Sequence, residues 1–307
     1  MFSSFRSSPA LVSTKEKKSN TSSPKITGDS QAPSSSTDYI ATSLLGQSAY
    51  GEVVLATTKQ GKKVVLKKIN RLKMNKTLIA NEVFAATTLK HAGVVKVYDV
   101  FRESIYTYLV LEYLKGVDLF KFLSARNFTP MREKEARPLF RQLVDALLYC
   151  HSRKIAHRDI KLENIMYDKK KNRVKIIDFG LCERIDSGKL CDLWCGSQDY
   201  VCPEIIKKTP YNGFAADVWS LGTILYIMLY GELPFGFDMR VKCVSDGEEH
   251  PDIHFADERN PNTVSESAKH LISSMLTVDP MKRISMEEVA KHRWTRTKSP
   301  LDLFGWS

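Results

Sequence analysis

With 307 residues, 43% of them hydrophobic and 10% aromatic, the chain can bury one large core or two smaller lobes that share a cleft. No apolar run approaches the roughly 20 residues of a membrane span, and the first residues lack the continuous apolar stretch of a secretory signal. The net charge of +11 gathers in lysine clusters at 15–18, 62–76 and 169–171; without aromatic interleaving or a reader motif, nucleic acid is not an expected partner.

Residues 1–37 are rich in Ser, Thr, Pro and Lys and poor in large apolar side chains, so a disordered tail is expected. Segments 52–58 (EVVLATT) and 63–69 (KVVLKKI) are β-branched runs separated by Lys59-Gln60-Gly61, the pattern of a hairpin. Helical spacing follows over 78–89, then two strand-like stretches at 94–101 and 106–112. Beyond Asp118 the period becomes helical. Residues 135–151 put Leu139, Leu143, Ala146, Leu147 and Cys150 on one face, and 217–230 is apolar all round, as a buried helix is. Residues 265–276 and 285–291 add two more helices, the second opened by the capping-box pair Ser285 and Glu288. Four of the six cysteines, Cys182, Cys191, Cys195 and Cys202, crowd one segment without the paired C-x-x-C spacing of a zinc site. They read as ordinary thiols of a protein in the cytoplasm or nucleus.

The chemistry concentrates between His157 and Gly180, in HRDIKLENIMYDKKKNRVKIIDFG. One short loop carries Asp159, Lys161 and Asn164, and Asp178 follows the apolar run 174–177. Phosphoryl transfer needs that division: one carboxylate near the attacking hydroxyl, another with an amide oxygen on magnesium. The order H-R-D-x-K-x-x-x-N then D-F-G resembles the signature of the eukaryotic protein kinases.

Further residues carry the resemblance across about 39–294. Leu45-Gly46-Gln47-Ser48-Ala49-Tyr50-Gly51-Glu52-Val53 is similar to the kinase glycine-rich loop, with Ser48 in place of the middle glycine. Val64-Val65-Leu66-Lys67 matches the strand that sets an ammonium on the nucleotide phosphates, and Glu82 is its expected helix partner. Lys68 should face the other way by strand alternation. Glu112 and Leu114 fall at the hinge that binds adenine, Leu111 at the gatekeeper position, and Asp118 where ribose or a basic substrate side chain is met. Cys202-Pro203-Glu204 resembles A-P-E, whose Glu should pair with Arg283. The resemblance implies an α+β bilobal fold, with a small antiparallel sheet lobe over 38–112, a mainly helical lobe over 113–295 and a short tail at 296–307. It also implies ATP and Mg2+ as cofactors, with Asn164 and Asp178 on the metal, Asp159 and Lys161 at the reacting groups, and Ser/Thr of proteins as substrate. Lys161, two residues after Asp159, points to a Ser/Thr kinase. The runs Cys195-Gly196-Ser197, LYIMLYGELPF and LTVDPMKRISMEEVAKHRW are similar to the calcium/calmodulin-dependent and AMP-activated kinase group, including the compact testis-specific members.

Three departures from the family pattern bear on control. Leu193 stands where related kinases have a Thr whose phosphate binds the Arg of H-R-D, so activity without phosphate there is expected, with Asp192 as the acid near Arg158. Ala86 replaces a bulky apolar residue that joins the first helix to Phe179, which leaves room for an activating or scaffold partner. Asp118 and Glu163 favour a basic residue upstream of the target Ser/Thr, while Ile227 removes a third acid. With Ser48, these departures keep open an alternative in which the chain is a pseudokinase acting as a nucleotide-binding scaffold.

Overall fold

The structure, a computed structural model, describes residues 35–186, 188–236 and 253–296. The tail over 1–34, Ser187 and the apolar cluster Leu301, Leu303, Phe304 and Trp306 lie outside the described residues.

Five strands form an antiparallel sheet: β1 (Tyr39–Ser48), β2 (Gly51–Thr58), β3 (Lys63–Asn70), β4 (Val97–Glu103) and β5 (Tyr106–Glu112), in the order β1-β2-β3-β5-β4. Alternation along β3 divides its side chains. Val64 and Leu66 join Ala56, Phe101 and Val110 in a core on one face, whereas Ile69 packs with Leu78, Ile79 and Val83 of helix α1 (Lys76–Thr88) on the other. The helix starts two residues before the apolar spacing implied because Asn75 caps it, its side chain accepting from the Thr77 N–H at 2.8 Å.

One expected strand is shorter than its composition suggests. The β-branched run begins at Val94, but β4 starts at Val97. The backbone at 93–95 instead bonds to residue 176, with Val95 N–H donating to Ile176 O at 2.9 Å and Ile176 N–H to Gly93 O at 2.8 Å. This linker thereby stitches the sheet to the helical part.

That part opens with β6 (Val117–Asp118) and α2 (Leu119–Ser124), followed by α3 (Glu133–Ser152). Helix α3 begins two residues before the predicted start because Arg132 N–H donates to Glu135 at 3.2 Å, which moves Pro138 from the first turn into the second. Short strands β7 (Ile155–Ala156), β8 (Ile165–Asp168), β9 (Arg173–Ile176) and β10 (Glu183–Arg184) frame the loops between them; β7 pairs with β10, and β8 lies between β6 and β9. Helices α4 (Pro203–Ile206), α5 (Gly213–Tyr230), α6 (Glu266–Met275), α7 (Met286–Lys291) and α8 (Arg293–Arg296) complete the described residues.

Helix α5 is long and apolar enough to cross a membrane by composition, but 89% of it is buried inside the protein, packed against α3 and α6 in the largest core. Its side of that core includes Trp219, Leu221, Ile224 and Leu225, all fully buried. Ser285 and Glu288 cap α7 reciprocally, with the Ser285 N–H donating to the carboxylate at 2.8 Å and the Glu288 N–H to the hydroxyl at 3.3 Å. The sheet with α1 and the helical layer thus meet at the 157–180 loops.

Candidate active site

The upper wall is the β1–β2 turn. Gly51 stands where β2 presses against β3: a Cβ there would lie 1.8 Å from the Lys68 carbonyl oxygen, so only glycine permits the pairing. Gly46 has open space around it. Ser48, in place of the family's middle glycine, ties the turn to itself; its hydroxyl accepts from the Tyr50 N–H at 3.3 Å and lies 3.4 Å from the Gly51 carbonyl.

Beneath the turn, Lys67 projects from β3 toward α1, and Lys68 takes the opposite face, 4.3 Å from the Tyr106 ring centroid. The Lys67 ammonium is shared by Glu82 of α1 and by Asp178, the latter at 2.6 Å. Burial alone would lower the lysine, but the Asp178 and Glu82 carboxylates together hold it well above its ordinary value. Lys67 in turn keeps Asp178 far below the usual carboxylate range, whereas burial pushes Glu82 up. Glu82 has its second oxygen buried without a hydrogen-bond partner.

Across the cleft, Asp217 at the start of α5 holds the 157–159 turn. Its two oxygens accept the backbone N–H groups of His157 and Arg158, each at 2.8 Å, which keeps Arg158 at a φ of 64°. The Asp159 carboxylate collects three donors: the Ser197 hydroxyl at 2.9 Å, the Lys161 ammonium at 2.9 Å and the Asn164 amide at 3.0 Å. Lys161 also donates to Ser197 at 2.7 Å, so the expected Ser197–Asp159 contact is present. Phe179 stacks edge-on against His157, with ring centroids 4.7 Å apart.

A cleft of about 320 Å³ brings together Gly46, Gln47, Ser48, Gly51, Val53, Lys67, Glu82, Asp159 and Asp178, with Gly180, Met74 and Leu78 as further walls. Lys161 and Asn164 adjoin it through Asp159. Leu45 is exposed on β1, and Glu112, Leu114 and Asp118 line the chain between the two parts rather than this cleft. The Glu112 side chain bridges those parts, accepting from the Lys96 N–H at 2.6 Å and from Lys175. Asp118 caps α2, accepting from the Lys121 N–H at 2.8 Å. A smaller cavity of about 30 Å³ lies behind Lys67, between Ala86, Leu111 and Phe179, so the small side chain at 86 does leave a gap there.

One expectation changes. The carboxylate on Arg158 is that of Glu183, at 2.6 Å, and not Asp192, which is exposed. The four clustered cysteines are free, as ordinary thiols are, and all four are buried. Sequence reasoning also missed Tyr211, whose hydroxyl lies 3.4 Å from Arg158 and donates to the Leu193 carbonyl at 3.0 Å. Farther off, Arg283 and Glu204 form the expected pair, two-pronged at 2.8 and 3.0 Å.

Known proteins match this sequence. The protein kinase domain family matches residues 39–295. NUAK family SNF1-like kinase 2 of Homo sapiens is 38% identical over 257 residues, which cover 81% of this chain and 39% of that protein. Carbon catabolite-derepressing protein kinase of Candida tropicalis is 38% identical over 264 residues, 83% of this chain and 40% of that one. Probable serine/threonine-protein kinase MARK-C of Dictyostelium discoideum is 37% identical over 258 residues, 82% and 32% respectively. The chain therefore spans at most about two fifths of the length of these relatives. Since a single family accounts for the sheet, for α1 and its ion pair, and for the 157–180 loops over most of the chain's length, this chain belongs to the protein kinase domain family.

Proposed function

We propose that this chain is a serine/threonine protein kinase that moves the γ-phosphoryl group of ATP to Ser or Thr of proteins. One observation carries the reading: Lys67, Glu82 and Asp178 stand on one side of a cleft and Asp159, Lys161 and Asn164 on the other, each already oriented by a protein partner. Asp159 accepts or orients the proton of the substrate hydroxyl, and Lys161 offsets charge on the group in transit. The residues fit a hard cation. The Asn164 nitrogen is committed to Asp159, which leaves its oxygen for Mg2+, and Asp178 stays ionised beside Lys67. The bound metal would neutralise phosphate charge. Gly46, Gln47, Ser48, Gly51 and Val53 would cover the phosphates, and the resemblance to kinases assigns Leu45, Glu112 and Leu114 to the base and Asp118 to the ribose, outside the cleft described above.

Preference for a basic residue upstream of the target rests on Glu163. Its Oε2 is buried without a hydrogen-bond partner, and burial raises its pKa, so an arginine from a substrate would relieve an unpaired acceptor. Ile227 is fully buried in α5 and offers no contact. Phosphate at position 193 is not required, because Leu193 carries no hydroxyl. Transfer from ATP to a basic Ser peptide, measured on phosphatase-treated protein with Asp178→Ala as control, tests the reading. Activity that survives phosphatase and vanishes in the variant is the expected result. No transfer by the wild type would favour a nucleotide-binding scaffold instead.

A further inference from the structure

Arg158 adjoins the reacting carboxylate Asp159, and its guanidinium is almost fully enclosed, with 1% of the side chain exposed. A buried cation without a counter-charge is strongly destabilising, and here it sits on the residue that directly precedes Asp159 in the chain. Its neighbours are an oxygen and sulfur set. Arg158 Nε donates to the Leu181 carbonyl at 2.8 Å, and Nη1 reaches the Tyr211 hydroxyl at 3.4 Å and Glu183 at 2.6 Å. The thiols of Cys191 and Cys195 nearby are pushed up by burial and stay neutral. Among the described residues, Glu183 is the carboxylate ion-paired with Arg158.

Glu183 is well placed to be permanent. It lies in β10, registered opposite Ala156 of β7, two residues before Arg158. Its other oxygen takes the Lys189 ammonium at 2.9 Å. Ten residues on, Leu193 packs against the Leu78, Ile79 and Val83 side of α1, and its carbonyl is held by the same Tyr211 that touches Arg158. Charge balance at Arg158 and attachment of the segment to α1 are thus both supplied by unmodified side chains.

We propose that Glu183 is a positioning residue for phosphoryl transfer: it supplies from within the chain the negative charge that Arg158 needs, while Leu193 fixes the segment to α1 by apolar contact. This deepens the kinase reading and rests on it. The test uses the full chain, phosphatase-treated and checked by mass spectrometry for an unmodified 181–202 segment. Transfer to a basic Ser peptide is measured for wild type, Glu183→Gln, Glu183→Asp, Arg158→Met and the double variant Arg158→Met with Glu183→Gln. Glu183→Gln is expected to lower kcat by about tenfold or more with KM for ATP changed less than about twofold, and Glu183→Asp to recover part of the loss. In the Arg158→Met background the Glu183 change should cost nothing further, the coupling expected if Glu183 acts through Arg158, and kcat measured at temperatures where each variant is fully folded separates this from a loss of stability. The double variant lacks a buried unpaired charge, so it gives a comparison even where Glu183→Gln fails to fold. A Glu183→Gln enzyme with more than about half of wild-type kcat, or additive effects in the double variant, overturns the proposal. Wild type active only when the 181–202 segment is phosphorylated overturns it too and leaves the kinase reading standing. Wild type inactive in every state sinks both.

Discussion

Removing the charge from Glu204 should destabilise the protein more than any exposed substitution could. Arg283 is completely enclosed and makes five hydrogen bonds: two to Glu204 and one each to the carbonyls of Thr277, Ala215 and Val278. It also lies 5.1 Å from the centre of the Trp219 ring. Glu204→Gln keeps the shape and one acceptor but leaves the guanidinium without its counter-charge, a change that costs about 3–5 kcal/mol at buried pairs. The three carbonyls still accept from Arg283, so the low end, about 3 kcal/mol, is expected here. For a domain of this size that corresponds to a fall of about 6–12 °C in the thermal midpoint. Replacing both partners with apolar residues of similar volume, Glu204→Leu with Arg283→Met, removes the stranded charge but leaves the three carbonyls without their donor, so it should recover part of the loss and not all of it. Guanidinium and thermal denaturation followed by circular dichroism measure both. A Glu204→Gln protein within about 1 kcal/mol of wild type, or a double variant as unstable as the single one, would refute the account.

The two loop glycines should separate cleanly. Gly51→Ala drives a Cβ into the Lys68 carbonyl and is expected to cost about 1–3 kcal/mol, while Gly46→Ala, which meets nothing, should melt like wild type; equal melting of the two variants would count against the close approach. Filling the 30 Å³ cavity with Ala86→Leu is worth about 0.7 kcal/mol at roughly 24 cal/mol per Å³ and should raise basal activity by holding α1 in place; unchanged activity argues against the gap as a source of mobility. Asp178 has a folded pKa depressed by Lys67, so its contribution is complete above about pH 4, its unfolded value, and is lost as pH falls toward the folded one. Urea melts between pH 5 and 2 should therefore show a steeper acid loss in wild type than in Asp178→Asn, and parallel curves would contradict the ion pair.

Legibility in the sequence followed chemistry more than propensity. Asp159, Lys161, Asn164 and Asp178 could be named because phosphate chemistry needs those residue types in a fixed order, while Lys67 and the match of Arg283 to Glu204 came from the resemblance to the kinase strand and A-P-E motifs. Elements whose partners are remote were read less well. The run beginning at Val94 has every local mark of a strand, yet its first residues bond to Ile176, a choice that no local pattern encodes. Glu183 is a lone acid in a two-residue strand, with no period to mark it and a partner 25 positions earlier. Charge parity was the available signal: once Leu193 removed the expected phosphate, Arg158 still required an acid, and Asp192 was nearer in sequence to the vacant position but not in space.

The same parity organises the whole stretch from β10 to α4. Its first residue, Glu183, is anchored on Arg158, and Glu204 near its end is anchored on Arg283. Both arginines are enclosed, so neither can trade its carboxylate for water without stranding a charge. Between these two clamps, Leu193 sits against α1, and Ser197 joins Lys161 and Asp159. On the proposal above, a segment fixed at both ends by buried ion pairs and in the middle by apolar contact would hold its path without an added phosphate. What such a segment gives up is an easily reversed switch, because every one of these contacts is written into the chain. The gap behind Ala86 at α1 is a place where the described structure has room, which is why the Ala86→Leu variant tests whether α1 is the element that is controlled.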